Sequence, residues 1–452
     1  MLVPSAILTL AFSYVVDAGY SFDVTPSYQS PLNELSPNAF CPLKGVFPSK
    51  LRAHAYSETC SQHHDGHVFQ NNISSAFFDP SRDPWTIAPT CLPNTSYDER
   101  FCVFTSQSFW GGRGITILTK SSIAREMAQL PAFTQPTNNI SLSENDTRDP
   151  PFYVAAIPGR GMGLIANRTI ERGDLIKAHA GAAIFHNDCV DKSFDDYLPH
   201  KEALMKLAVN QLPPPTRDLF LAMAAHNESE EPYIEKIYTN TFGEDFGNEE
   251  HSLVVPETAK INHNCRPNAM YYFDWNTLVH YTHASRRIYA GEEITITYID
   301  PLQTRLRRRA AIKSSWGFDC SCSLCSAENH FIRESDRRVI EINRISKILD
   351  DVVSQNETER EAARKHVSAA AEMADLLVSL YEQERLYAGI ADGYRLAALV
   401  YASIGNEWRA VKWAMMAADI GLIHDGPEDE GVLDVRRLLL APRQHWSWAV
   451  NL

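Results

Sequence analysis

The stretch "INHNCRPN", residues 261–268, sets an amide (Asn262), an imidazole (His263) and a thiol (Cys265) side by side. It runs straight into "AMYYF", which reads as buried strand. Polar side chains at the edge of a core need partners, because burying one alone costs free energy. Two kinds of partner are suggested elsewhere in the chain.

The thiol finds its partners in "CSCSLC", residues 320–325. Cys320, Cys322 and Cys325 have the C-x-C-x-x-C spacing that lets three thiolates face one point. A disulfide between such close neighbours would be strained and would constrain little chain. Three thiolates leave one tetrahedral corner open on a structural Zn²⁺. Cys265 is the best candidate for that corner, so a Cys₄ zinc site is expected. Its metal would contribute folding free energy.

The amide and imidazole belong with two further pieces, "GRGMGL" (159–164) and "AGEEITITY" (290–298). The glycine-rich turn follows a strand but does not open a helix, so it is no dinucleotide or P-loop fingerprint. Glycines there let backbone approach a ligand closely. Around these pieces, "FYVAAIPGRGMGLIANRTIERGDLIKAHAGAAIF" reads as strands joined by turns. Residues 192–235 look helical, interrupted at "LPPPT", and "YTNTFG" (238–243) returns to strand. Short strands follow to residue 299, and "RLRRRAAIKSSWGF" carries a basic helix into the cysteines. Beyond 330 the chain has helical 3.6-residue periodicity, with one tetratricopeptide-like hairpin turning at Gly405-Asn406. Nearer the N-terminus, residues 100–120 read as a hairpin around Gly111-Gly112. A short helix follows over 121–130, opened by a serine cap.

Taken in order, N-H-x-C-x-P-N, G-E-E-I-x-I-x-Y and C-x-C-x-x-C resemble the SET-domain protein methyltransferases. The likeness is greatest to the SMYD-like branch and its fungal relatives, over about 152–328, with a plausible helical tail. The resemblance implies an α+β fold: short β-sheets with a helical insertion, a post-SET zinc segment and an α-helical C-terminal domain. It implies S-adenosylmethionine and Zn²⁺ as cofactors, and a protein substrate with a target lysine, histone or non-histone. Gly161, Met162 and Gly163 would lie along the cofactor. Asn240, Asn262, His263 and Phe318 would contact it, and Tyr298 would be the active-site tyrosine. Cys265, Cys320, Cys322 and Cys325 would hold the zinc. Tyr271, Tyr272, Phe273, Trp275 and Tyr281 supply aromatic material for a lysine channel, although each fits ordinary packing at least as well. Asn264 stands where members usually carry Ser. No MYND zinc module is expected, since 165–258 holds only Cys189. An inactive SET-fold scaffold is the alternative function.

The expected order is a signal peptide (1–18), a Cys-containing region (24–130), a linker (131–150) and a SET domain (151–300, insertion about 190–236). A post-SET segment (301–328) and a helical domain (330–452) complete it. The N-terminal 150 residues match no part of the enzyme core. A 452-residue chain with 44% apolar and 22% charged residues is an ordinary globular composition, too long for one core. Its net charge of −14 disfavours direct nucleic-acid binding and suits a basic partner. No segment reads as a membrane span. The apolar run from Ala6 to Val16 and the sequons at Asn72, Asn94, Asn139, Asn145, Asn167, Asn227 and Asn356 indicate a secreted or secretory-pathway glycoprotein. Nucleus or cytoplasm is the alternative. In an oxidising compartment Cys41, Cys60, Cys91 and Cys102 would form two disulfides, with three possible connectivities.

Overall fold

The structure, a computed structural model, describes residues 83–91, 100–135, 149–190, 198–226 and 232–452. The signal segment, Cys41, Cys60 and the sequons at Asn72, Asn94, Asn139, Asn145 and Asn227 lie outside the described residues.

Three sheets form the α+β part. The largest combines β1 (Ile87–Cys91), β2 (Phe101–Ser106), β3 (Ile115–Lys120), β7 (Ala183–His186), β9 (Glu249–Val254) and β8 (Thr241–Phe246), in that spatial order. A second sheet has the order β10 (Asn262–His263), β13 (Glu293–Ile296), β5 (Gly161–Ala166), β4 (Phe152–Ile157). The third is β11 (Ala269–Asp274), β12 (Val279–Ala284), β6 (Leu175–Ala180).

The six-stranded sheet is apolar on both faces because both are covered. Along β2, Phe101 and Val103 pack with the helices of the insertion, while Cys102 and Phe104 face the core shared with the smaller sheets. The same alternation places Leu118 and Phe185 on one side and Ile117 and Ile184 on the other. This corrects the separation of 24–130 from the core. β3 pairs in parallel with β7, so strands of that region are integral to the fold. Standing alone, β2 and β3 would expose one apolar face. The expected hairpin at 100–120 is present as β2–β3.

The insertion contributes α2 (Leu198–Gln211), α3 (Pro214–Leu221) and α4 (Pro232–Asn240). Helix α4 extends through Asn240, where strand was expected from 238. The helix Ser121–Met127 is preceded by Lys120 at the cap position and has no side-chain cap hydrogen bond, so the expected serine cap is not formed.

Helix α5 (Arg305–Trp316) ends at Gly317, whose left-handed φ of 73° turns the chain into the cysteine segment. The C-terminal part is helical: α6 (Asn329–Val352), α7 (Ala370–Gln383), α8 (Ile390–Ser403), α9 (Glu407–His424) and α10 (Glu430–Leu440). α8 and α9 form the expected hairpin. Asn406 caps α9 by accepting from the Arg409 N–H at 3.2 Å. Small residues Ala410, Ala414, Ala417 and Gly421 lie on the buried face of α9. No described helix is long and apolar enough to cross a membrane.

Candidate active site and metal centre

The segment that opened the sequence reading lies between two centres. Asn262 and His263 form β10, which pairs in parallel with Thr295 and Ile296 of β13. Asn262 Nδ2 donates to Glu293 Oε1 at 2.9 Å and to the Met162 carbonyl at 3.2 Å. It therefore ties the glycine-rich strand to β13. Gly163 is needed here, because a Cβ on it would meet Asn262 Nδ2 at 2.7 Å and Glu293 Oε1 at 3.1 Å. Arg160, in the turn before β5, pairs with Glu293 at 2.6 Å and donates to the His263 carbonyl. Arg160 and Glu293 escaped the sequence reading, although both lie inside the motifs it quoted.

The His263 ring is buried, and its Nδ1 accepts from the Tyr298 N–H at 3.1 Å. Nε2 therefore carries the proton, and it faces Cys265 Sγ at 3.4 Å. Burial pushes the imidazole pKa down to about 3, so the ring stays neutral. His263 thus uses its side chain to hold Tyr298 and Cys265. The Tyr298 hydroxyl donates to the Ile261 carbonyl at 2.7 Å. Burial pushes the phenol upward, so it remains protonated at neutral pH. Trp316 stands 5.2 Å from the Tyr298 ring, and its Nε1 donates to the Thr239 carbonyl at 2.9 Å.

Asn240, next along, is buried and donates to the Ala224 and Lys236 carbonyls at 2.7 and 2.8 Å. Its amide nitrogen is committed to the insertion, and only Oδ1 is available for a ligand. Gly317 packs so closely on His226 that a Cβ would lie 1.7 Å from its ring. Phe318 follows, partly exposed, as do Gly161 and Met162 at the start of β5.

Of the five aromatic residues singled out, Tyr271 comes closest to this site. It packs on Phe242 (5.1 Å), and its hydroxyl is influenced by Tyr298. Tyr272 stacks on Tyr281 and abuts Gly426 of the helical part. Phe273 and Trp275 pack on each other, and Trp275 also packs on Phe246. Phe242 and Trp316 were not singled out from sequence, since an aromatic residue in a short strand or helix has no local mark of a site.

The second centre is the sulfur cluster. Cys265, Cys320, Cys322 and Cys325 are buried, with all four sulfurs within 4.8 Å of one another. Cys265 Sγ lies 3.9 Å from Cys320 Sγ and 3.6 Å from Cys325 Sγ. Tetrahedral Zn–S bonds of about 2.3 Å place sulfurs about 3.8 Å apart, so the donor set suits such a metal. The thiols are strongly coupled. Hydrogen bonds from its three neighbours push Cys322 far below the thiol range, and Cys265 is pushed far above it. Four neighbouring buried thiols resist ionising together, which a divalent cation would overcome. Cys189, the leftover thiol, is buried elsewhere and pushed up to about 12 by desolvation. Cys91 and Cys102, in register across β1 and β2, form a disulfide.

A family model described as "SET domain" matches residues 161–299. The chain is 26% identical over 310 residues to "Histone-lysine N-methyltransferase set5" of Schizosaccharomyces pombe, covering 65% of this chain and 85% of that protein. It is 33% identical over 120 residues to "Histone-lysine N-methyltransferase SMYD3" of Mus musculus, covering 26% of this chain and 24% of that protein. It is 27% identical over 132 residues to "N-lysine methyltransferase SMYD2-B" of Xenopus laevis, covering 28% and 29%. The matched region, residues 161–299, holds the glycine strand, Asn262, His263, Cys265 and Tyr298.

Proposed function

We propose that the chain is an S-adenosylmethionine-dependent protein-lysine methyltransferase with a structural zinc. One observation carries the reading: Ile261–Cys265 holds Tyr298 from both ends, at Ile261 O and His263 Nδ1, while supplying Cys265 to the sulfur cluster. The SET match and relatives named for lysine methylation support it.

S-adenosylmethionine, when bound, supplies an electrophilic methyl group. Gly161, Met162 and Gly163 would offer backbone along it, Asn262 and the His263 backbone would position it, and Asn240 Oδ1 and Phe318 would flank it. A lysine amine must lose its proton and present its lone pair in line with the methyl. Neutral aromatic side chains such as the partly buried Trp316 and Tyr271 and the buried Phe242 would favour the uncharged amine through desolvation. Tyr298 donates its O–H to the Ile261 carbonyl, which leaves its lone pairs free to accept from the amine or contact a polarised methyl. A phenol kept protonated is an acceptor and orienter here, not the base. The acidic surface charge favours a Lys/Arg-rich protein substrate, a histone among them.

The test is transfer of labelled methyl groups to histones and a protein array by wild type and Tyr298→Phe. Wild type should label. The Phe variant should fall about 10²–10⁴-fold, a range usual for a lost positioned proton-transfer or hydrogen-bonding group, while calorimetry shows cofactor binding retained. Equal labelling by both would remove the role of Tyr298. Cofactor binding without any transfer would favour a SET-fold scaffold.

The disulfide Cys91–Cys102 favours passage through an oxidising compartment. We propose the secretory pathway, with glycans on the sequons. Sequencing the native N-terminus, with a glycosidase mobility shift, tests this. An intact Met1 and no shift would refute it.

A further inference from the structure

Arg113 lies in the connection between β2 and β3, outside the residues 161–299 that the family model matches. Each nitrogen of its guanidinium has a partner. Nη1 and Nη2 donate to the two carboxylate oxygens of Glu257 at 2.8 and 2.9 Å, and Nε donates to the Ala180 carbonyl at 3.1 Å. The pair is largely buried, with side-chain exposures of 17% and 14%. The loop that presents Arg113 is itself fixed against the insertion. Thr216 Oγ1, in α3, donates to the Arg113 carbonyl, and a Cβ on Gly114 would lie 2.3 Å from Pro213 Cδ.

Glu257 sits in the short link between β9 and β10. One 3-10 turn, Thr258–Lys260, separates it from Ile261. The turn is closed by backbone bonds of 3.0 Å: the Thr258 and Ala259 N–H groups donate to Val255 O, and the Ile261 N–H donates to Thr258 O. Lys177 Nζ adds a bond to the Glu257 carbonyl at 3.0 Å. At the far end of the turn, the Ile261 carbonyl accepts the Tyr298 hydroxyl at 2.7 Å. Beyond it, β10 pairs with β13 over two residues only, fewer than an ordinary strand. Strand pairing alone is therefore a weak hold on this carbonyl. A bidentate guanidinium–carboxylate pair fixes direction as well as distance, which a point charge does not.

We propose that Arg113 is a positioning residue for Tyr298: by clamping Glu257 it sets the turn that carries the Ile261 carbonyl, and with it the direction of the phenol. A segment outside the matched region thereby acts on the candidate site without touching substrate or cofactor. The effect on turnover rests on the methyltransferase reading above, whereas the effect on Tyr298 rests on geometry alone. Asn262, one residue further on, has anchors of its own in Glu293 and the Met162 carbonyl. Loss of the clamp should therefore appear in kcat and leave cofactor binding as it was.

The test uses the full chain and the change Arg113→Met, alone and combined with Tyr298→Phe. R113M should lower kcat for labelled-methyl transfer about 10–100-fold, the scale of a small misplacement of a positioned group, with cofactor affinity by calorimetry at the wild-type level. In the Tyr298→Phe background the same change should cost nothing further, because the hydroxyl it positions is gone. Wild-type kcat in R113M overturns the proposal. So does an equal fold-loss in both backgrounds, which would assign Arg113 to the general integrity of the fold. If R113M does not fold, the double change Arg113→Met, Glu257→Leu removes the clamp and strands no charge, and the same two comparisons judge it. A wild-type chain that transfers no methyl refutes the methyltransferase reading and leaves the clamp to NMR with ¹³C-labelled tyrosine. The Tyr298 ring signal, assigned by its loss in Y298F, should move in the variant that lacks the clamp, and an unmoved signal overturns the positioning role.

Discussion

Arg266 and Glu384, 118 positions apart in the chain, meet at 2.6 Å in a buried ion pair. Arg266 follows Cys265 directly, and Glu384 closes helix α7 of the helical part. The Glu384 carboxylate also accepts from Ser335 Oγ at 2.7 Å and from Arg338 Nε at 2.6 Å. The segment that carries Cys265 is thereby fastened to the helical part by one fully used carboxylate. Removing one partner of such a cluster strands charge in the interior. Glu384→Ala should lower unfolding free energy by about 3–5 kcal/mol, read by urea unfolding. The double change Arg266→Met, Glu384→Leu should recover part of it. Burial pushes the Glu384 carboxyl up, but Arg266, Ser335 and Arg338 hold it below its usual value. Its stabilisation is therefore present above the ordinary carboxyl range and lost as pH falls through that range.

Gly163→Ala tests the glycine strand. Its added methyl would strike Asn262 Nδ2 and Ile157 Cδ1, at 2.7 and 2.4 Å. Gly161 has a left-handed φ of 72° but open space for a Cβ. The two glycines should therefore fail differently. G163A should weaken cofactor binding by about tenfold or more, through a displaced hydrogen bond of about 1–3 kcal/mol. G161A should cost stability of about 1–2 kcal/mol with a smaller loss of affinity. Calorimetric titration and thermal unfolding separate the two, and equal affinity losses would contradict the geometry.

The sulfur cluster was legible because three of its ligands lie within six residues, where covalent spacing alone sets what they can reach. The strands around 152–299 were legible from turn residues and alternation. Partners brought together by tertiary pairing left no local trace. Nothing near Arg266 in sequence signals Glu384, and nothing in residues 101–120 signals that β3 will pair with β7. Asn240 was placed on a strand because "YTNTFG" is rich in strand-forming residues. Packing of α4 through Ile234 and Ile237 keeps it helical. His263 was read as contacting a cofactor, partly through its backbone. Only the three-dimensional position of Tyr298 shows that the imidazole is committed to backbone and sulfur.

Cys265→Ser, or zinc removal by chelation, should disturb both centres together. Cys265 Sγ receives the His263 Nε2–H, and His263 Nδ1 holds the Tyr298 N–H. A change at Cys265 therefore reaches Tyr298 through one imidazole. Limited proteolysis should show new cleavage over 317–328, and cofactor affinity should fall about 10–100-fold. A chain that loses zinc yet binds cofactor as before would show that the two centres are independent.

Acid should destabilise the fold through its buried histidines. Burial, with help from His179 and Lys177, pushes His280 down to about 3. Burial pushes His251 and His179 down to about 4. All three stay neutral in the folded protein, whereas the unfolded chain takes up protons near pH 6.5. Below that pH the unfolded state binds more protons, so stability falls as pH drops from about 6.5 towards 4, by about 1.4 kcal/mol per pH unit for each histidine. His280 is fully buried between Tyr271 and Phe242, and neither ring nitrogen has a protein partner. His280→Leu should therefore leave neutral-pH stability intact or raised, since it removes two unpaired polar atoms from the core. It should also make the pH dependence shallower by one histidine's share between pH 5 and 6.5. Urea unfolding at a series of pH values measures this directly. An unchanged slope would mean that His280 is protonated, or paired, in the folded protein.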